Sequence, residues 1–160
     1  MPVGVAWLWM VPVALAGALM GGAWAPPLQW RQGIAPTGFD LAAILILPLV
    51  SELVFRGLAH GLMSAGFSGQ GARGRWFVSW PVAISTVLYA FWTLPILHPP
   101  LASTDLVWFA LPVSVSVVGT LLFGLAVGLI RERSGSLLAP LAVHYLGLAA
   151  VVAAMASGLG

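Results

Sequence analysis

The stretch that decides the fold is Pro48-Leu49-Val50-Ser51-Glu52-Leu53-Val54-Phe55-Arg56-Gly57, where two charged residues lie inside an apolar run. Glu52 and Arg56 are four residues apart, so on a helix they share one face and can pair, and His60 continues the stripe. An unpaired charge at the bilayer centre costs at least ~2.5–3.5 kcal/mol, so an intramembrane Glu and Arg indicate a functional site. The alternative is a structural ion pair that fastens this helix to its neighbours.

The composition around this stretch indicates an integral membrane protein. Of the 160 residues, 61% are hydrophobic and 6% are charged, whereas a soluble domain has roughly 25% charged residues. The net charge of +2 comes from scattered Arg residues, and because no basic stripe is present we expect no nucleic-acid partner. The absence of Cys excludes disulfides, thiolate metal sites and a cysteine nucleophile.

Five apolar segments are each about long enough to cross the ~30 Å hydrocarbon core of a bilayer. They cover about residues 3–24, 39–65, 76–95, 106–130 and 136–155. We interpret the first as a retained helix, because no Arg or Lys precedes it and Pro26 directly follows its cleavage-like Ala23-Trp24-Ala25. The sequence therefore predicts an all-α, polytopic bundle of about five transmembrane helices, forming one domain over residues 1–160.

Local signals predict how these helices pack and end. The stretches Gly17-Ala18-Leu19-Met20-Gly21 and Gly124-Leu125-Ala126-Val127-Gly128 match the small-xxx-small pattern of closely packed membrane helices. Pro48 is expected to kink its helix just before the charged turn. Two cations in the last turn followed by Gly135 predict the end of the fourth span, and Ser136 is placed to cap the fifth.

The distribution of Arg predicts the orientation of the bundle. With five spans, two loops lie on the same side as the amino terminus, and they hold Arg73 with Arg75 and Arg131 with Arg133. The loops on the other side hold only Arg31. The positive-inside rule then places the amino terminus in the cytoplasm. We expect a bacterial inner-membrane protein in contact with membrane lipid. A small transporter is disfavoured, because we find no internal repeat.

Glu52 and His144 are the residues from which we expect chemistry. His144 lies about two turns into the fifth span, ~12 Å at 1.5 Å per residue, and Glu52 lies mid-helix in the second, so the two can meet at similar depth. A carboxylate beside Arg56 can activate water, and a neutral His can stabilise an oxyanion. The alternative for His144 is a packing histidine bonded to a backbone carbonyl. No His-Glu-x-x-His pair is present, so we expect neither a metal nor a cofactor.

Two motifs resemble those of the CPBP intramembrane proteases, also called the CAAX-protease and bacteriocin-processing or Abi family. Residues 48–57 resemble its first motif, Pro-x-x-Glu-Glu-x-x-x-Arg-Gly. Residues 131–140, with His144 four further on, are similar to its Glu-Arg-Thr-Gly-Ser-Leu-x-Ala-Pro run and following histidine. The resemblance covers about residues 46–150. It implies a glutamate-dependent endopeptidase, once described as a metalloprotease, that cleaves a membrane-proximal peptide or protein tail with Glu52, Arg56 and His144 in its site.

The sequence departs from the family pattern at three positions. Ser51 stands where the family has the first Glu of its pair, the one usually assigned as the base. The histidine of the family's Phe-x-x-x-His motif falls on Thr93, within Tyr89-Ala90-Phe91-Trp92-Thr93. The Asn expected four residues after His144 is Leu148.

These departures leave two interpretations of the function. In the first, Glu52 takes over as the base together with His144, aided by His98 bending back into the site. In the second, the chain is a non-catalytic membrane scaffold, such as an immunity or sorting partner, that retains the protease fold. A wet cavity between Glu52 and His144 would favour the enzyme, whereas a Glu52 enclosed by Arg56 and apolar groups would favour the scaffold.

Overall fold

The computed structural model of the chain is all-α, as predicted. It describes residues 8–21, 38–67, 78–97 and 106–156, which are helical apart from short turns and contain no strand. Their helices are α1 (Met10–Gly21), α2 (Gly38–Ser51), a π-helical segment (Glu52–Ala59), α3 (His60–Phe67), α4 (Trp80–Leu97), α5 (Leu106–Ser134) and α6 (Leu138–Ala156).

Within the described residues, each predicted span overlaps a helix or a continuous run of helices. The second corresponds to α2, the π-helical segment and α3, which follow one another without a break from Gly38 to Phe67. By length and composition, two described stretches are able to cross a membrane, Ile44–Gly66 and Ser114–Ser134. A polytopic membrane bundle fits these findings, and the number of five spans stays a prediction.

The distribution of polar and apolar side chains is reversed relative to a soluble protein. Leu53, Leu58 and Leu62 on the second helical run are 51%, 61% and 66% exposed. Large apolar surfaces of this kind are normally covered by a partner or by lipid. The buried polar and charged residues among those described are Ser51, Glu52, Arg56, His60, Ser79, Ser85, Thr86, Thr93, Thr120 and His144. A bundle that turns leucines outward and charges inward is suited to a lipid solvent.

Glycines allow the helix backbones to approach one another, as the small-residue patterns predicted. A Cβ added to Gly17 of α1 would lie 2.8 Å from the carbonyl oxygen of Gly119 in α5. On Gly147 of α6 it would lie 3.0 Å from the Cβ of Ala18, and on Gly128 of α5 it would lie 3.0 Å from Val82. Helix α1 therefore packs directly on α5 and α6, and α5 packs directly on α4.

The turn between α5 and α6 forms as the sequence predicted. Gly135 has φ 67°, a left-handed conformation that glycine adopts without strain. Its N–H donates to the carbonyl of Arg131 at 3.1 Å, which closes the end of α5. The Ser136 hydroxyl then accepts the Leu138 N–H at 3.1 Å and caps α6. This turn fixes the start of α6, and with it the depth of His144.

Candidate active site

Glu52 and Arg56 lie on the π-helical segment. Pro48, inside α2, has no N–H to donate, and the change to i→i+5 hydrogen bonding begins at Glu52, one turn later. Because the turn of a π-helix is wider than that of an α-helix, residues four apart lie closer to one line along the axis. The Glu52 and Arg56 side chains both point inward, 2% and 0% exposed.

The carboxylate of Glu52 is hydrogen-bonded to the imidazole of His144. The Nδ1 atom of His144 lies 2.7 Å from Oε1 of Glu52, and the two residues are 92 positions apart in the chain. This is the length of a charge-assisted hydrogen bond. With the carboxylate ionised, Nδ1 must donate, because a carboxylate only accepts. Among the described residues, the other oxygen, Oε2, has no hydrogen-bond partner.

Arg56 is held by groups from three helical elements. Its Nη1 lies 3.6 Å from Oε1 of Glu52, which is longer than a direct charge-assisted hydrogen bond. Its Nη2 donates to the carbonyl of Gly124 in α5 at 3.2 Å. Its Cζ lies 4.2 Å from the ring centroid of Tyr89 in α4, a cation–π contact. The guanidinium therefore occupies a fixed position beside the carboxylate.

Aromatic rings surround the charged cluster. The ring of Phe123 meets His144 edge to face, with centroids 4.9 Å apart and an interplanar angle of 75°. The ring centroid of Tyr89 lies 6.4 Å from that of the same imidazole. The ring of Phe55 in turn packs on Tyr89, with centroids 5.7 Å apart. Because these rings keep the surroundings of low polarity, the electrostatic interactions of the Glu52–His144 pair are stronger than they would be in water.

Two of the three positions that depart from the family motifs, Ser51 and Thr93, carry hydroxyls that bond within their own helices. Ser51 donates to the carbonyl of Pro48 at 2.9 Å. Thr93 donates to the carbonyls of Tyr89 and Ala90 at 3.0 and 3.1 Å. Both residues are buried. These bonds occupy hydroxyl protons that would otherwise be available to a substrate.

His60, which continues the stripe of Glu52 and Arg56, is buried at the start of α3, where it is 6% exposed. The carboxylate of Glu132 and the guanidinium of Arg131 are close enough to act on it electrostatically. The same Glu132 accepts a hydrogen bond at 3.0 Å from Ser79, which also caps α4 by accepting the Val82 N–H. His98 lies outside the described residues, so its expected approach to the site has no structural counterpart here.

The structure brings together Glu52, Arg56 and His144, the three residues selected from the sequence. It adds Tyr89 and the carbonyl of Gly124, which the sequence did not indicate as site groups. Tyr89 was visible only as part of a motif-like stretch and Gly124 only as a packing glycine. Within the described ranges, no group of three His, Cys, Asp or Glu residues could hold a metal ion.

The geometry combines features of both interpretations of the function. Glu52 and His144 touch directly rather than across a water-filled cavity, and Glu52 is nearly enclosed. Yet one carboxylate oxygen remains without a hydrogen-bond partner among the described residues. His144 and Arg56 both face Oε1 of Glu52. Oε2 is therefore able to accept a hydrogen bond from a further donor.

Comparison with known families bears on this choice at the level of the family. The family of type II CAAX prenyl endopeptidases, Rce1-like, matches residues 33–149, which is most of the chain. The chain belongs to this family. No curated protein and no solved structure matches it. The membership of the CAAX-endopeptidase family confirms the resemblance seen in the two motifs and does not favour a non-catalytic scaffold.

Membership of the CAAX-endopeptidase family also bears on the surroundings of the protein. Together with the two apolar helices long enough to cross a bilayer, it indicates an integral membrane protein. A membrane-embedded protease of this family contacts membrane lipid and a peptide substrate. The exposed leucines of the second helical run are consistent with the lipid contact.

Proposed function

We propose that the protein is an intramembrane endopeptidase of the CAAX-protease type that cleaves a membrane-proximal peptide or protein tail. The observation that supports this most is the hydrogen bond of 2.7 Å between Glu52 and His144. It joins an acid and an imidazole from distant helices in the buried interior of a chain that belongs to a peptidase family. Burying such a pair is costly unless it is used or well compensated.

Glu52 is proposed as the general base. When substrate and water enter the site, Oε2 accepts a proton from the water as its oxygen attacks the scissile carbonyl carbon. The tetrahedral intermediate then collapses, the carbon–nitrogen bond breaks, and the same carboxyl returns the proton to the leaving amine. The unused oxygen of Glu52 is the group that this step requires.

His144 and Arg56 are proposed to orient that base and to stabilise charge. The Nδ1–H of His144 holds Oε1, which turns Oε2 towards the incoming water. The Arg56 guanidinium compensates the negative charge of Glu52 without forming a bidentate salt bridge with its carboxylate. Positive charge near the carbonyl also stabilises the oxyanion that develops during attack.

The remaining expectations form part of the same proposal. Glu52 takes over the role that the family usually gives to the position of Ser51, with Thr93 and Leu148 outside the chemistry and without a cofactor. The chain forms one domain over residues 1–160, crosses a bacterial inner membrane about five times, and keeps its amino terminus in the cytoplasm. The site then opens towards tails that reach the membrane from the cytoplasmic side.

The test is a cleavage assay with the purified protein in lipid. A panel of tagged membrane-tail and leader peptides is incubated with the parent protein, Glu52→Gln and His144→Ala, and products are identified by mass spectrometry. We expect cleavage by the parent and a loss of at least ~100-fold in each variant, the scale of a general acid–base contribution. Leu53→Ala, which alters a lipid-facing neighbour of Glu52, is the matched control and should retain activity.

Folding of each variant is checked by thermal unfolding, because Glu52→Gln leaves the charge of Arg56 uncompensated. Gln can still accept the hydrogen bond from His144, so a folded variant is expected. Absence of cleavage by the parent on every peptide, or equal cleavage by the parent and a folded Glu52→Gln protein, would contradict the proposal.

A further inference from the structure

The guanidinium of Arg56 compensates the charge of the Glu52 carboxylate but lies too far from it for a direct hydrogen bond. Its Nη1 lies 3.6 Å from Oε1 of Glu52, and neither Nη1 nor Nε has a hydrogen-bond partner among the described residues. An Arg beside a carboxylate frequently forms two parallel hydrogen bonds, since its planar fork matches the two oxygens. Arg56 does not, and groups that bind the guanidinium elsewhere would hold it back from the bidentate arrangement.

Two groups are placed to do so. The carbonyl of Gly124 accepts a hydrogen bond from Nη2 at 3.2 Å, and the ring of Tyr89 lies against the guanidinium with its centroid 4.2 Å from Cζ. A cation over an aromatic face is attracted by the ring, and this attraction is strongest where both groups are desolvated. Both Arg56 and Tyr89 are 0% exposed.

The Tyr89 ring is itself held in place. Phe55 meets it edge to face, with centroids 5.7 Å apart and an interplanar angle of 80°. Phe123 lies on another side at 6.1 Å. A Cβ on Gly124 would lie 3.2 Å from Cδ1 of Tyr89 and 3.4 Å from Nη2 of Arg56, so glycine lets ring and guanidinium approach α5 together. The ring is therefore a firm support rather than a mobile neighbour.

We propose that Tyr89 is a positioning residue, whose ring holds the Arg56 guanidinium off the Glu52 carboxylate and keeps Oε2 available to water. The inference rests on the proposed function of Glu52 as the base. Without the ring, Arg56 moves onto both carboxylate oxygens, and the water that Oε2 would bind is displaced. Tyr89 acts through Arg56 and does not touch the substrate.

The kinetic test compares Tyr89→Leu with Tyr89→Phe on a peptide that the parent cleaves. Tyr89→Leu removes the aromatic face, and we expect kcat to fall about 30-fold with KM nearly unchanged, a factor matching the ~2 kcal/mol of a desolvated cation–π contact. Tyr89→Phe keeps the face and should restore kcat to within about threefold of the parent. Phe55→Leu removes a ring from the same cluster but leaves the ring under Arg56, so its kcat should fall far less than that of Tyr89→Leu.

A second readout follows Arg56 directly and does not depend on cleavage. In protein labelled with ¹⁵N-arginine, the Arg56 side-chain N–H signals are shifted by the ring current of Tyr89 and are assigned by their loss in Arg56→Lys. We expect the shift to persist in Tyr89→Phe and Phe55→Leu and to disappear in Tyr89→Leu.

The two readouts separate the possible failures. An unshifted Arg56 signal in the parent, or equal kcat losses in Tyr89→Leu and Tyr89→Phe, would overturn the positioning role of Tyr89 while leaving Glu52 as the base. A parent that cleaves nothing would overturn the proposed function and the positioning role with it. In that case a persisting NMR shift would show a contact between the ring and the guanidinium that serves no catalysis.

Discussion

The two oxygens of the Glu52 carboxylate have different surroundings. Oε1 faces both Nδ1 of His144 at 2.7 Å and Nη1 of Arg56 at 3.6 Å, whereas Oε2 has no hydrogen-bond partner among the described residues. A buried carboxylate that is oriented through one oxygen and has no hydrogen-bond partner at the other is suited to accept a proton in a fixed direction once water enters the site. At the scale of single residues, this asymmetry adds to the support that the Glu52–His144 hydrogen bond gives to an active site.

The hydroxyls of Ser51 and Thr93, at two positions where the sequence differs from the family motifs, are predicted to be dispensable for catalysis. Ser51 and Thr93 donate to carbonyls of their own helices, so Ser51→Ala and Thr93→Val remove no group that faces the substrate. We expect kcat/KM of each variant to stay within about threefold of the parent, against the ~100-fold or greater loss that removal of a general base produces. The measurement is the peptide-cleavage rate in lipid. A loss of the larger size in Ser51→Ala would instead assign the essential step to that position.

The sequence predicted the pairing of Glu52 with Arg56 from their spacing, and the similar depth of Glu52 and His144 from their helix positions. It did not predict the rotation of either helix about its own axis. That rotation decides whether His144 meets Glu52 directly, and it depends on side-chain packing between helices far apart in the chain. The contacts of Arg56 with Tyr89 and Gly124 depend on the same packing and were missed for the same reason.

At the scale of elements, the π-helical segment is what distinguishes the second helical run. Regular α-helix on either side, α2 and α3, is interrupted from Glu52 to Ala59, the stretch that holds both charged residues. The turn at Gly135 and Ser136 was predicted correctly, because it depends on local signals, and α5 ends and α6 begins on either side of it. The π-helical turns were not predicted, since Pro48 indicates a disturbed helix without specifying how its hydrogen bonds are rearranged.

Two glycines provide a matched test of helix packing. A Cβ on Gly17 would meet backbone atoms of α5, whereas a Cβ on Gly61 of α3 would meet nothing within 4 Å. Because backbone cannot move aside as a side chain can, Gly17→Ala should destabilise the protein by about 1–3 kcal/mol. Gly61→Ala should be neutral or stabilise it by up to about 1 kcal/mol, since alanine is the better helix former. Thermal unfolding in the same detergent measures both, and equal shifts would contradict the close α1–α5 contact.

The hydroxyl of Ser79 joins two helix ends. It caps α4 by accepting the Val82 N–H and donates to Glu132 near the end of α5. Replacing Ser79 with Ala leaves an uncapped helix start, and we expect a loss of about 1 kcal/mol in the free energy of unfolding. Ser79→Asn, which can cap but has a different reach, should recover part of this loss. Unchanged stability in Ser79→Ala would show that the bond contributes little.

At the scale of the whole molecule, the exposed leucines and the buried charges describe a protein whose solvent is lipid. Composition predicted this, since 61% hydrophobic and 6% charged residues cannot cover a water-facing surface. What composition does not fix is the orientation, which was predicted from the positions of a few Arg residues. Orientation matters to the function, because it decides which tails can reach Glu52.

The orientation can be measured by cysteine labelling, for which the cysteine-free chain is already suited. Leu138→Cys places a thiol at the exposed start of α6, where Leu138 is 74% exposed, next to the turn that follows Arg131 and Arg133. The cells are first converted to spheroplasts, so that the outer membrane does not block the reagents. With the amino terminus in the cytoplasm, a membrane-impermeant maleimide should label Leu138→Cys only after the inner membrane is opened, while an epitope at the carboxyl terminus should be reached from outside. Labelling of Leu138→Cys in intact spheroplasts would reverse the predicted orientation.

The most direct test of the account is a double-mutant comparison of Glu52 and His144 in peptide cleavage. The parent, Glu52→Gln, His144→Ala and the double variant are measured for kcat/KM on one cleaved peptide, with folding verified for each. If the pair acts as a unit, each single change lowers kcat/KM at least ~100-fold and the double variant is no worse than the poorer single one within about threefold. Losses that multiply in the double variant, or a folded Glu52→Gln protein that cleaves like the parent, would contradict a catalytic Glu52–His144 pair.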